Sequence, residues 1–405
     1  MDAQHAEPAP AGARHGLAIG LPRPVELVCF ALCVANVAYL GASLAFGHWL
    51  FDPDGSLAAT DFVNVWAGGR LALEGQAGAV YDWAAHKQAE AAALGHDFDG
   101  HYAWFYPPTF LFAAAALATL PYIPAFLAWM TLTFPAYLVT IRRIVGNRTG
   151  LFLACAFPAV LANLLVGQNG FLTAALLGGA LLAMERRPVL AGCLLGLLTY
   201  KPHLGLLIPL ALIAGGYWRA VWSAAATATL LAAAALFVFG ADAWQGFLQG
   251  LPAMAQSTFT QGRADWSKLQ SVFGLVRSLG GGEGLAWALQ GVVIATGAIL
   301  VCLVWRGGAD FALKAATLAT AALLATPYLY LYDLVVLAVP MAFLIRARGR
   351  LSAAEWSALG LAGLCIVVYP FVQAAVGLLA VFVVAGLVAR RLRPFPLVSA
   401  TPVSA

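Results

Sequence analysis

Apolar runs long enough to be helices, almost free of charge, follow one another from about Val25 to Ala389, and no other feature limits the fold so strongly. A water-soluble domain carries roughly 25% charged residues. Here only 10% of 405 residues are charged and 62% are hydrophobic, so a soluble fold would have nothing to present to water. A bilayer removes that difficulty, and only helices or closed barrels span one. The runs are continuous rather than alternating, which favours helices. The chain therefore reads as an all-α polytopic membrane protein. The net charge of +4 is spread over segment ends with no basic face, which argues against a nucleic-acid partner.

Residues 1–24 read as a disordered cytoplasmic N-terminus, rich in Ala, Pro and Gly. They lack the apolar core and small-residue cleavage site of a signal peptide. A single transmembrane domain follows over 25–393, and 394–405 reads as a flexible tail. The first span is placed at about Val25–Leu50. Later spans are placed at about 151–166, 169–184, 188–200, 203–217, 220–239, 284–305, 309–327, 331–345, 353–370 and 371–389. Residues 108–141, split by Leu120–Pro124, are read as one net crossing preceded by a short or re-entrant piece. That gives about twelve spans. Alternating their ends collects sixteen of the 22 Lys and Arg on the N-terminal side, whereas twelve of the 18 acidic residues fall opposite. Such asymmetry marks the N-terminal side as cytoplasmic in a multi-pass plasma-membrane protein. The six cysteines lie inside apolar runs and read as small buried hydrophobes, and no cluster has metal-ligand spacing.

Two polar stretches interrupt the hydrocarbon on the outer side. The larger, 51–107, reads as a cap with interfacial helices; the second, 240–283, as one or two more. Polar residues near the membrane are few and therefore informative. Asp61 precedes a helix expected at Phe62–Leu73, where an N-cap explains it without chemistry and a catalytic carboxylate is the alternative. Arg70 lies two and a half turns further on. His101, Tyr106 and their aromatic neighbours form an interface belt or a sugar-stacking set. Gln168 and Asn169 make a polar break between two spans: either a turn or amide groups aimed at a sugar. Lys201, between two short helices, either snorkels or meets an anion. Asp333, beside Tyr328, Tyr330 and Tyr332, either serves a helix start or belongs to a site.

Taken in order, Asp61-Phe62, Trp66, Arg70, Gly75, Tyr81-Asp82 and Gln88 form one motif. Tyr106-Pro107-Pro108, Leu120-Pro121, Gly167-Gln168-Asn169, Arg186-Arg187-Pro188 through Lys201-Pro202, and Pro327 with Tyr332-Asp333 follow. This order resembles glycosyltransferase family 87, membrane enzymes of the GT-C superfamily, over roughly residues 25–345. The resemblance implies a GT-C-like helical bundle with its active site on the extracytoplasmic face. It implies a polyprenyl-phosphate sugar as donor, mannose foremost, and no other cofactor. A glycolipid or glycan would be the acceptor. An acidic residue of the first outer loop would be the general base, and Asp61 holds that position. Transfer would then invert the anomeric carbon in one displacement. Lys201, then Arg70, would hold the donor phosphate; Gln168, Asn169, Tyr106, His101, Tyr332 and Asp333 would position sugar or acceptor. Some relatives carry a His in the late outer segment, where this chain has Tyr328, Tyr330 and Tyr332. A secondary transporter or lipid flippase is the competing class. The absence of evident repeats and a midplane nearly free of charge speak against it.

Overall fold

A computed structural model describes residues 21–100, 102–263 and 265–393. The expectations for 1–20 and for the tail 394–405 fall outside them. The described chain is helical, and its one β feature is a single antiparallel bridge, Phe51 to Leu57. In order come α1 (Arg23–Ala45), α2 (Phe62–Leu73), α3 (Trp83–Leu94), α4 (Leu111–Ala118) and α5 (Tyr122–Val145). Next are α6 (Thr149–Ala156), α7 (Ala159–Val166), α8 (Gly170–Ala183), α9 (Pro188–Leu197) and α10 (Ile208–Ala214). Then follow α11 (Trp218–Ala255), α12 (Val272–Ser278), α13 (Glu283–Arg306), α14 (Phe311–Ala325), α15 (Ala338–Arg346), α16 (Ala353–Val372) and α17 (Val376–Leu392).

Among the described residues five helices are long and apolar enough to cross a membrane, or six if α6 and α7, bent by 63°, form one span. The remaining crossings in a count of about twelve would fall to shorter apolar helices. These include 170–183, 188–200, 202–214 and 311–325, each about 20 Å long at 1.5 Å per residue. The stretch before Leu120 is short, as expected, and α5 after it is full length.

The apolar surface is distributed as a bilayer requires. α14 is central, with twelve of its fifteen residues buried. α1, α11, α13 and α16 instead expose large side chains such as Phe30, Phe237, Val292 and Phe371. Hydrocarbon exposed in this way around a bundle marks its lipid-facing wall.

The two ends differ. At one end the basic helix termini interlock. Arg346 donates to the Arg143 and Ile144 carbonyls, and Arg391 pairs with Glu355 at 2.7 Å and donates to the Arg348 carbonyl. At the other end α2 and α3 form a cap. Phe62 packs edge-on against Phe126 of α5, Thr60 shares a hydrogen bond with Tyr122 at 2.9 Å, and Trp66 donates to the Leu120 carbonyl.

The second outer stretch begins at a break: the helical run from Trp218 is interrupted at Gly240 and resumes in a new direction as far as Ala255. Gly240 has φ 79° and ψ 171°, a conformation open essentially to glycine alone. The segment after α11 is fastened to the bundle. The Gln270 N–H donates to the Leu329 carbonyl at 2.6 Å, and Ser271 Oγ donates to the Pro327 carbonyl at 2.7 Å. Gln270 Oε1 also accepts from the Gly377 N–H.

Candidate active site

Three reversals of the chain converge under the cap: the α7–α8 turn, the α9–α10 turn, and the segment between α14 and α15. A helix that ends at such a reversal cannot run the full depth of the bundle, which accounts for the short helices. Above the reversals lies a cavity of about 1000 Å³, at the upper end for ligand sites. Its walls come from the cap, from all three reversals, and from the outer half of α11 through Phe247, Leu251 and Met254.

Asp61 opens on this cavity. It occupies the N-cap position of α2, yet its side chain bonds no backbone N–H of that helix. Asp82, at the start of α3, shows the ordinary use, accepting from the Ala84 and Ala85 N–H groups at 2.9 and 3.0 Å. Asp61 Oδ2 instead accepts from Gln168 Nε2 at 3.1 Å. Gln168 is presented by Gly167, which ends α7 with φ 70°, where a side chain is strained. Gln168 Oε1 accepts from the Tyr106 hydroxyl at 3.1 Å, whose oxygen accepts from Asn169 Nδ2 at 2.8 Å. Donors therefore run in one direction, Asn169 to Tyr106 to Gln168 to Asp61. Burial pushes the Asp61 carboxyl up to about 6, while the Gln168 donor and the charge of Lys268 pull against that rise.

Lys201 sits at the α9–α10 turn and is 4% exposed. Its Nζ donates to Asp333 Oδ1 at 2.5 Å, and Asp333 Oδ2 accepts from the Tyr330 N–H. Tyr332 lies beside the ammonium, its ring centroid 5.8 Å away. Asp333 thus serves a helix start and an ion pair together.

A second buried polar group steadies the cap. Glu90 accepts twice from the Tyr102 N–H, at 3.1 and 3.2 Å. His86 Nε2 lies 3.1 Å from Asn64 Oδ1, and Asn64 Nδ2 donates to the Ala103 carbonyl. Burial raises the Glu90 carboxyl to about 7.

The structure brings Asp61, Tyr106, Gln168, Lys201, Tyr332 and Asp333 to one cavity, with Asn169 directly behind Tyr106. Arg70 is not brought there. Nine residues at 100° each place it half a turn away from Asp61 around the helix, where it is exposed and pairs with Glu74 at 2.8 Å. His101 lies outside the described residues. Sequence reasoning missed His203, Tyr200, Arg263 and Lys268, all of which line the cavity. His203 stood two residues from Lys201 in plain view, whereas Arg263 and Lys268 looked like ordinary charges of an amphipathic loop. Among the described residues no three His, Cys, Asp or Glu side chains are grouped as metal ligands.

A family model described as glycosyltransferase family 87 matches residues 104–327. That is more than half of the chain, which therefore belongs to this family and is a membrane glycosyltransferase. No curated protein and no solved structure matches it. The matched stretch holds Tyr106, Gln168, Asn169, Lys201, Arg263 and Lys268, and leaves Asp61 and Asp333 on either side.

Proposed function

We propose that the protein moves a sugar, mannose foremost, from a polyprenyl-phosphate donor to a hydroxyl of a glycolipid or glycan, with Asp61 as general base. The observation that carries this reading is a carboxylate at a helix start that does not cap its helix and is oriented instead by Gln168 across a cavity. A base must be ionisable near neutrality and within reach of the proton it takes. A carboxyl drawn up to about 6 meets the first condition and its place on the cavity wall meets the second.

Sugar transfer builds positive charge on the anomeric carbon and negative charge on the departing oxygen. The acceptor oxygen attacks the anomeric carbon from the face opposite the phosphate, and its proton passes to Asp61. The anomeric C–O bond breaks with its electron pair left on the phosphate, so the configuration inverts. Cavity cations stabilise that phosphate without protonating it. Tyr106, Tyr332 and the other tyrosines offer aromatic faces and hydroxyls to sugar rings. The apolar α11 wall, Phe247, Leu251 and Met254, gives a prenyl chain a way from the bilayer to the site. The basic interlocked end would face the cytoplasm and the cavity the extracytoplasmic side of the plasma membrane.

The test is transfer from radiolabelled polyprenyl-phosphate mannose by purified protein in the presence of a membrane lipid extract as acceptor. Asp61→Asn, nearly isosteric and still able to hydrogen-bond, lowers transfer by about a hundredfold or more with an unchanged melting temperature. Turnover within a few fold of wild type removes Asp61 from this role.

A further inference from the structure

Three cations line the cavity, Lys201, Arg263 and Lys268, and they are not equivalent. Lys201 is buried against Asp333 at 2.5 Å, so the pair contributes no net charge. Arg263 and Lys268 belong to the segment between α11 and α12 and are exposed on the cavity side. Neither is among the ion pairs formed by the described residues. Neither is loosely placed: the Arg263 guanidinium stands 5.6 Å over the Trp83 ring of the cap. Lys268 precedes the Gln270 and Ser271 anchors on the 327–329 strand of backbone. The Lys268 ammonium acts at a distance on the carboxylates of Asp61 and of its neighbour Asp265 but bonds neither, and a cation not bonded to a carboxylate, held at the wall of a cavity, is arranged for an anionic ligand.

Resting on the lipid-phosphate donor reading above, we propose that Lys268 and Arg263 form the anion clamp that takes the donor's phosphate, while Lys201 remains neutralised by Asp333. Charge balance supports the division. Before transfer the cavity holds one negative charge on the phosphodiester and one on Asp61. Afterwards the acceptor proton is on Asp61, which is neutral, and the departing phosphate monoester carries about two negative charges. Two free cations match both states. The chemical step therefore shifts charge from one wall to the other without creating an unmatched charge in a partly apolar site. A diphosphate would leave one negative charge unmatched throughout.

The experiment uses the full-length protein in detergent, with farnesyl phosphate as probe and farnesol as its uncharged control. Binding is followed by intrinsic tryptophan fluorescence, to which Trp83, under the Arg263 guanidinium, and Trp266, two residues before Lys268, contribute. Lys268→Gln and Arg263→Gln each weaken farnesyl phosphate binding roughly tenfold to a hundredfold and leave farnesol binding unchanged. Lys268→Arg regains most of what Lys268→Gln loses, and Arg70→Gln, outside the cavity, binds as wild type. Wild-type affinity in both Gln variants overturns the clamp, as does an equal loss in Arg70→Gln. Loss confined to Lys201→Gln, in protein whose melting curve shows it folded at the assay temperature, moves the phosphate to Lys201 and leaves the donor reading intact. A wild-type protein that does not prefer farnesyl phosphate to farnesol overturns both the clamp and the lipid-phosphate donor.

Discussion

Asp61 and Asp82 stand at equivalent positions, one residue ahead of a helix, and use their carboxylates differently. Asp82 satisfies backbone donors of its own helix, whereas Asp61 turns to a glutamine 107 residues away. Local sequence cannot distinguish them, because an N-cap and a site carboxylate share the same residue types and the same offset. The distinction has a consequence for pH. In the proposed role Asp61 must be ionised, so transfer is expected to fall as pH drops through about 6, the range to which burial brings its carboxyl. The Gln168 amide favours the ionised form, so its loss raises the Asp61 pKa. Gln168→Leu therefore shifts the acid limb of the rate profile upward by about one unit. A pH–rate series on the variant checks this; an acid limb that stays in place means that Asp61 does not report it.

At the scale of elements, two features shape the cavity: helices that stop early and one helix that bends. The short α9 and α10 were visible as short apolar runs on either side of Lys201, and the turns carry the polar residues because the cavity occupies the depth these helices do not fill. The break in α11 falls where a span was placed to end, at 239, with a helical outer stretch after it; only the backbone shows the turn itself, with Gly240 at φ 79°. The outer half of the helix, with Phe247, Leu251 and Met254, forms the apolar cavity wall because of that bend. Gly240→Ala introduces a Cβ where the backbone excludes one, at about 1–3 kcal/mol. It lowers the melting temperature by several degrees, and it reduces use of a long-chain lipid donor more than binding of a short-chain phosphate. Unchanged melting and unchanged donor chain-length preference would show that the bend is incidental.

Across the whole molecule, the Lys201–Asp333 pair joins segments 132 residues apart and ties the α9–α10 turn to the start of α15. A buried pair resists the loss of either member more than the loss of both. Lys201→Ala leaves the Asp333 carboxylate uncompensated and destabilises the fold by about 3–5 kcal/mol. Lys201→Met with Asp333→Leu recovers most of that loss, as thermal unfolding in detergent reads directly. A Lys201→Ala variant as stable as wild type would assign the pair to function alone. The family match stops short of both Asp61 and Asp333, so the two carboxylates that complete the cavity enter it through the closure of the fold.

Helix formation, membrane residence and the collection of basic residues at one end follow from the sequence, because hydropathy and charge act on each segment alone against its solvent. The helix at Phe62–Leu73, the short piece before Leu120 and the long helix after it are local in the same sense. Which polar residues share a cavity is decided only by tertiary structure, since that depends on where distant turns meet. Asp61 reached Gln168, Lys201 was claimed by Asp333, Arg70 was carried half a turn away, and Lys268 was brought over the cavity. Each is a relation between segments far apart in the chain, and pairwise distance has no counterpart in the periodicity of a single run.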